Sequence, residues 1–416
     1  MSSNTERAVL VGLSVGGRDR ARAERALEEL EQLAEASGAL VVGQVLQDRK
    51  TPDPATLIGR GKVQELAKLR EEQDVSLFIF DDDLSPAQQR NIEKVVEAKT
   101  VDRTQLILDI FAKRAKTREG RLQVELAQLE YMLPRLAGHG ILLSRLGGGI
   151  GTRGPGETKL ETDRRRIRQR ILAVRREIEH VRRERDLRRD GRRRNALPTV
   201  ALVGYTNAGK STLFKLLTRE SVQISAQVFM TLDPLIRRVR LGPCSDMLLV
   251  DTVGFIQKLP HSLVDAFRAT LEEVSQADLL LHVIDASAED LDERRAAVET
   301  VLREIGAAER PQIEVLNKSD RVTEPRREVL QALHPSGVAL SARTGEGLDV
   351  LLSALGRELN LVPRSVRLRF KTGEGRAIAA LYGSARVVSH EVDGDDVLIE
   401  AEMPGRSLGR YQEWLQ

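Results

Sequence analysis

The sequence predicts an α/β protein with a long helical insertion, and three observations support this. Short β-branched runs alternate with helical patterns over residues 8–98 and again over 197–361. Between them, residues 157–194 read as one long, very basic helix, and residues 363–416 turn β-rich, with strand candidates at 366–370, 377–381 and 397–401. The 416 residues, 41% of them hydrophobic, suffice for several separate cores. The expected parts are an N-terminal parallel α/β domain (1–110), a helical hairpin with a glycine-rich loop (111–196), a second α/β domain (197–361) and a small C-terminal α+β domain (362–416).

In the first domain, residues 8–13, 40–46, 76–80 and 100–101 predict strands, and 18–37, 61–73 and 85–98 predict helices. Ser85-Pro86 supplies a helix cap followed by proline at the first helical position, where a missing N–H is harmless. Asp81-Asp82-Asp83 marks the carboxyl end of a strand, a place where ligands often sit. The plainer reading, which the composition favours, is a solvated acidic turn.

Residues 102–136 read as helical, and the glycine-rich string from Gly147 to Gly156 interrupts them because so many glycines cannot hold a regular element. The basic helix follows, with 15 Arg against 7 Asp or Glu between Leu160 and Asn195. Ile167, Ile171, Val174, Ile178 and Val181 form an apolar stripe at helical spacing, so one face packs and the rest is basic. The net charge is only +3 although 31% of residues are charged, so any attraction for a polyanion is local to this helix. Few aromatics accompany the arginines, which favours the backbone of structured RNA over base stacking. The competing reading is a solvated hairpin whose charge serves solubility. A single cysteine, Cys244, and a start without a basic-then-apolar leader predict a reducing cytoplasm. No apolar run approaches the ~18–20 residues needed to span a bilayer.

The candidate site is read from five strings in order. Residues 199–203 form a strand candidate that runs into Gly204-Tyr205-Thr206-Asn207-Ala208-Gly209-Lys210-Ser211-Thr212, a P-loop in its strand–loop–helix setting. Its backbone N–H groups can face β- and γ-phosphates, Lys210 adds a cation, and Ser211 offers a hydroxyl to Mg²⁺. Asp251-Thr252-Val253-Gly254 follows an apolar strand, giving an acid near the metal and a Gly254 N–H for the γ-phosphate. Within Phe229-Met230-Thr231-Leu232-Asp233, Thr231 stands where a switch threonine ligates Mg²⁺ only while the γ-phosphate is present. Asn317-Lys318-Ser319-Asp320 places a carboxylate that can accept from guanine N1–H and its 2-amino group, whereas adenine would leave a buried Asp320 unpaired. Ser341-Ala342-Arg343 can support the base. The set predicts a Ras-like G domain binding GTP and GDP with Mg²⁺, with Lys210, Thr231 and Gly254 as the catalytic candidates and Ser211 and Thr231 as the metal ligands. Phe255 occupies the place where many GTPases carry a water-orienting glutamine, so intrinsic hydrolysis should be slow.

With these strings in hand, the sequence resembles the HflX family of ribosome-associated GTPases. The resemblance extends over Leu57-Ile58-Gly59-Arg60-Gly61-Lys62-Val63, residues 102–111 and 122–129, and the glycine-rich block through Glu157-Thr158-Lys159-Leu160-Glu161-Thr162-Asp163. The family's usual switch string has Ala where Met230 stands, which leaves the Thr231 assignment intact. The resemblance implies binding to the large (50S) ribosomal subunit and its RNA, stimulation of hydrolysis by the ribosome, and splitting or rescue of ribosomes under stress. The chain is expected to act as a monomer away from membranes. Alternatives are an RNA-remodelling nucleotidase that also uses ATP, a ribosome-biogenesis GTPase, or a scaffold that reads GTP but barely turns over.

Overall fold

The computed structural model describes residues 5–16, 20–136, 155–194, 197–219, 231, 233–242, 245–256 and 268–416. These fall into two compact units, one of residues 1–186 with 225–233 and 258–269, the other of residues 187–224, 234–257 and 270–416. The glycine-rich loop up to residue 154 and Cys244 lie outside the described residues.

The first unit begins with a parallel sheet of β1 (Arg7–Val15), β2 (Leu40–Arg49), β3 (Leu77–Phe80) and β4 (Lys99–Asp102) in the order β2-β1-β3-β4. Helices α1 (Arg20–Ser37), α2 (Arg60–Gln73) and α3 (Pro86–Val96) connect the strands. A parallel strand covered on both faces must be apolar throughout, and Leu77-Phe78-Ile79-Phe80 is buried at every position. Ser85 caps α3 as its sequence predicts: its hydroxyl accepts from Gln88 N at 3.2 Å, and the Gln88 side chain accepts from Ser85 N at 2.9 Å.

The acidic turn divides: Asp83 is exposed, as in a solvated turn, whereas Asp81 is structural. Asp81 is buried and accepts from Arg103 Nη1 at 2.6 Å, and the other Arg103 nitrogen reaches Glu29. Thr104 Oγ1 donates to Asp83 at 2.5 Å. These contacts pin the start of α4 (Arg103–Arg114) beneath the carboxyl end of the sheet. Removing Arg103 would leave buried carboxylates uncompensated, a loss of about 3–5 kcal/mol.

The helical region then breaks where the sequence reads as continuous. Ala115 turns extended and Thr117 starts α5 (Arg118–Arg135), its hydroxyl accepting from Gly120 N at 3.0 Å. The long basic helix is α6 (Pro155–Arg194). Ile171 and Val174 of the predicted stripe are buried, and Arg170 grips Glu125 through two hydrogen bonds of 2.6 and 2.9 Å. Arg175 reaches Glu130 at 2.7 Å. Exposed pairs of this kind add at most about 1 kcal/mol each, so the apolar stripe dominates the pairing. Arg165, Arg168 and Arg176 remain exposed, on one side of the helix at spacings of three and eight.

In the second unit a six-stranded sheet has the order β10-β9-β8-β5-β7-β6, with only β6 antiparallel. Its strands are β5 (Thr199–Val203), β6 (Leu235–Gly242), β7 (Ser245–Asp251), β8 (Leu279–Asp285), β9 (Gln312–Asn317) and β10 (Val338–Ala339). The described helices are α7 (Lys210–Thr218), α8 (Arg268–Ser275), α9 (Leu291–Glu304), α10 (Glu324–Leu333) and α11 (Leu348–Glu358). Parallel order brings the carboxyl ends of β5, β7, β8, β9 and β10 to one rim, where α/β sheets bind ligands.

The chain ends in an antiparallel sheet of β11 (Pro363–Lys371), β12 (Arg386–Asp393) and β13 (Asp396–Pro404), ordered β11-β13-β12. The Asp393-Gly394 hairpin joins β12 to β13, with Asp393 opposite Asp396 and Gly394 at φ 61°. Residues 377–381, which read as a strand, instead lie in α12 (Gly375–Ser384). Three alanines in that stretch favour a helix, and Leu381 still reaches the core with Phe370 and Ile399. Ser245 Oγ donates to Leu361 O at 2.8 Å, tying the chain just after α11 to β7. No helix among the described residues is long and apolar enough to cross a membrane.

Candidate nucleotide site

Strand β5 delivers the chain into a loop that closes at Gly209, the N-cap of α7, which offers no side-chain cap. The first N–H groups of α7 are therefore available to an anion. Lys210 is buried and folds back over the loop, donating to Gly204 O at 2.9 Å and Tyr205 O at 2.8 Å. Burial pushes its ammonium down to about 8, against a counter-pull from Asp251. Thr206 and Ala208 are buried and Asn207 is exposed in the left-handed region, at φ 62°.

Beside this loop, Ser211 Oγ donates to Asp251 Oδ2 at 3.0 Å, bringing together two hard oxygen donors from α7 and the end of β7. Thr252 Oγ1 donates to Leu202 O at 2.5 Å and holds the β7 exit against β5. The next residues extend the sheet: Phe255 N donates to Gly204 O at 3.1 Å, and Thr206 N to Phe255 O at 2.6 Å. Gly254 is pressed so close that a Cβ there would meet Thr206 Cα at 2.9 Å and Lys210 Nζ at 3.0 Å. Val253 and Phe255 are buried, and the Phe255 ring offers nothing to hold a water.

On the opposite side, Asn317 Nδ2 donates to Ala208 O at 2.8 Å while its Oδ1 accepts from Ala342 N at 2.9 Å. One side chain thus fastens the P-loop, the end of β9 and the loop after β10 together. Ser341 is buried and donates to Asp320 Oδ1 at 2.7 Å, aiming that carboxylate. Arg343 is exposed. Asp320 itself is exposed, contrary to the expectation of a buried acid. Lys318 sits in the left-handed region and its Nζ lies 2.6 Å from Asp285 Oδ2. Asp285 was not among the sequence candidates, and its only signal is an acid closing the apolar run of β8.

The switch string divides differently. Phe229, Met230 and Leu232 lie outside the described residues, and Thr231 and Asp233 group with the first unit. Asp233, expected beside the nucleotide, spends its carboxylate elsewhere: Oδ2 accepts from Lys116 N and Thr117 N at 2.9 Å each, and Oδ1 from the Thr117 hydroxyl.

The depressed Lys210 has a pH consequence. A phosphate group would restore its ordinary value, so nucleotide binding takes up a proton once pH exceeds about 8. Affinity is expected to fall by up to tenfold per pH unit from there towards pH 10.5, as measured by titration calorimetry. An affinity unchanged over that window would show that Lys210 stays charged without ligand.

Comparison with known proteins gives this geometry a family. Residues 24–112 match the family described as GTP-binding GTPase N-terminal, 114–192 the GTP-binding GTPase Middle Region, and 199–318 the 50S ribosome-binding GTPase. GTPase HflX of Caldanaerobacter subterraneus is 46% identical over 403 residues, 97% of this chain and 92% of that protein. The chain belongs to the HflX family. GTPase HflX of Escherichia coli is 45% identical over 91% of this chain and 89% of its own length. A solved GTP-binding protein from Sulfolobus solfataricus in complex with GDP aligns over 85% of this chain and 99% of that one, at 25% identity and a TM-score of 0.45. As an HflX protein the chain is a GTP hydrolase, and its family membership and P-loop G domain are those the sequence predicts.

Proposed function

We propose that this HflX GTPase binds GTP with Mg²⁺ at the rim of the six-stranded sheet and acts, as a cytoplasmic monomer, on the large ribosomal subunit. On this reading it splits or rescues ribosomes under stress. The observation that carries the nucleotide assignment is the convergence of Lys210, Ser211, Asp251 and Asn317 on one loop through direct hydrogen bonds.

The α7 N-terminus and Lys210 hold the β- and γ-phosphates, and Gly254 N–H meets the γ-phosphate. Ser211 and Thr231 would ligate Mg²⁺ and Asp251 would hold it through the Ser211 side of the site. The Ser211 hydroxyl and the Asp251 carboxylate are hard oxygen donors, which suit Mg²⁺ completed by phosphate oxygens and water. The metal's contribution is to neutralise phosphate charge as it develops. Asp320, aimed by Ser341, reads guanine. With Phe255 buried, no side chain at that position orients water, so turnover without ribosomes is slow.

The description of the family matched by residues 199–318 as a 50S ribosome-binding GTPase supports the large subunit as partner, and the exposed arginines of α6 suit a phosphate backbone. Changing Arg165, Arg168 and Arg176 together to Gln is expected to weaken large-subunit binding and to reduce the slope of log affinity against log salt by about two units, at ~0.7–0.9 per lost contact. Gln keeps the helix, and the buried Ile171 and Val174 are untouched. Co-sedimentation with separated subunits across a salt titration, in GDP and in a non-hydrolysable GTP analogue, measures this. Wild-type binding at every salt would make the basic face a solubility feature.

A further inference from the structure

The seat that receives Asp233 is built for a carboxylate. Two successive N–H groups, of Lys116 and Thr117, point at one oxygen at 2.9 Å, and the Thr117 hydroxyl serves the other. The same hydroxyl accepts from Gly120 N at 3.0 Å, so the cap of α5 and the seat share one side chain. A negative charge here also faces the positive end of α5. Gly120, three residues into the helix, completes the seat: a Cβ at that position would stand 2.4 Å from Asp233 Oδ1. Glycine weakens a helix relative to alanine, so α5 carries a local defect whose compensation is room for this carboxylate.

The seated residue stands at a mechanically exposed point of the chain. Thr231 lies two residues before it, within about 7 Å by chain length alone. Pro234 follows with its fixed φ, and β6 then begins at Leu235, paired with Asp251. We propose that Asp233 is a positioning residue for hydrolysis: seated on α5, it fixes where Thr231 can stand, so that nucleotide state and hairpin position are linked through this carboxylate. This rests on the reading of Thr231 as a ligand of Mg²⁺ in the GTP state. Linkage is reciprocal, so a hairpin held by its partner biases Thr231 as much as the γ-phosphate biases the hairpin.

The test is hydrogen exchange at the Lys116 and Thr117 amides in the full chain, loaded with GDP or with a non-hydrolysable GTP analogue. In the wild type the two states are expected to differ in protection by at least about fivefold, the low end of ordinary coupling. Gly120→Ala puts a methyl into the seat while favouring the helix, and should abolish that difference and lower GTP turnover, because Thr231 is no longer held. Asp233→Ala should abolish it equally, and the double variant should show no more than either single change. Equal protection in the two nucleotide states, or a difference surviving Gly120→Ala, would overturn the proposal. Thr231→Val separates the underlying reading: if that variant keeps wild-type turnover, Thr231 is no Mg²⁺ ligand, whatever the seat does. If Thr231→Val is inactive while Gly120→Ala retains its nucleotide-dependent exchange, the seat is a helix cap and nothing more.

Discussion

Lys210→Ala is expected to lower GTP turnover by on the order of 10²–10³-fold, the usual effect of deleting one preorganised group at a developing phosphate charge. The fold should survive. Lys210 donates only to Gly204 O and Tyr205 O, carbonyls at the loop that a phosphate-bound lysine would partly release, and its burial disfavours its own charge. Removing it therefore relieves a desolvated ammonium as well as breaking two hydrogen bonds. Single-turnover hydrolysis alongside a thermal melt makes the distinction. Turnover within a factor of two of wild type would remove Lys210 from the site, and a collapsed melting transition would make it a structural residue.

Asp320→Asn is expected to turn base preference from guanine towards xanthine, because the amide can donate to the 2-oxo group that xanthine carries in place of the 2-amino group. Sites that hydrogen-bond a polar group in a closed pocket discriminate by roughly 10⁴–10⁵. Asp320 is exposed, so a mismatched partner can be partly rescued by water, and a shift nearer ~10³ is the better expectation. The amide oxygen can still accept from Ser341 Oγ, now 2.7 Å from Oδ1, so the side chain should keep its aim. Competition of GTP and XTP for the variant measures the ratio. An unaltered preference for GTP would mean that Asp320 does not read the base.

The parts of the molecule that were legible in the sequence are those governed by short-range rules. Ser85-Pro86 announced α3, the Leu77 to Phe80 run announced a buried strand, and the P-loop string carried its own strand and helix. Misreadings arose where a distant partner decided the outcome. Asp81 looks like a solvated acid until Arg103, twenty-two residues on, is brought beneath it. Asp233 looks like part of a nucleotide string until the N–H groups of Lys116 and Thr117, more than a hundred residues earlier, claim its carboxylate. Residues 377–381 failed for a local reason: alternation of Ala with Ile and Leu suits either element, and alanine's helix preference decides. Within the site, Asp251 and Asn317 were readable from their strand ends, whereas Asp285 becomes meaningful only once Lys318 is seen beside it.

The backbone bridge between Phe255 and the P-loop bears on how the protein idles. Two backbone hydrogen bonds, Phe255 N to Gly204 O and Thr206 N to Phe255 O, latch the chain after Gly254 to the loop. At about 0.5–1.5 kcal/mol each, they make any rearrangement of that stretch cost roughly 1–3 kcal/mol, so the site rests latched until a bound group or a partner supplies that much.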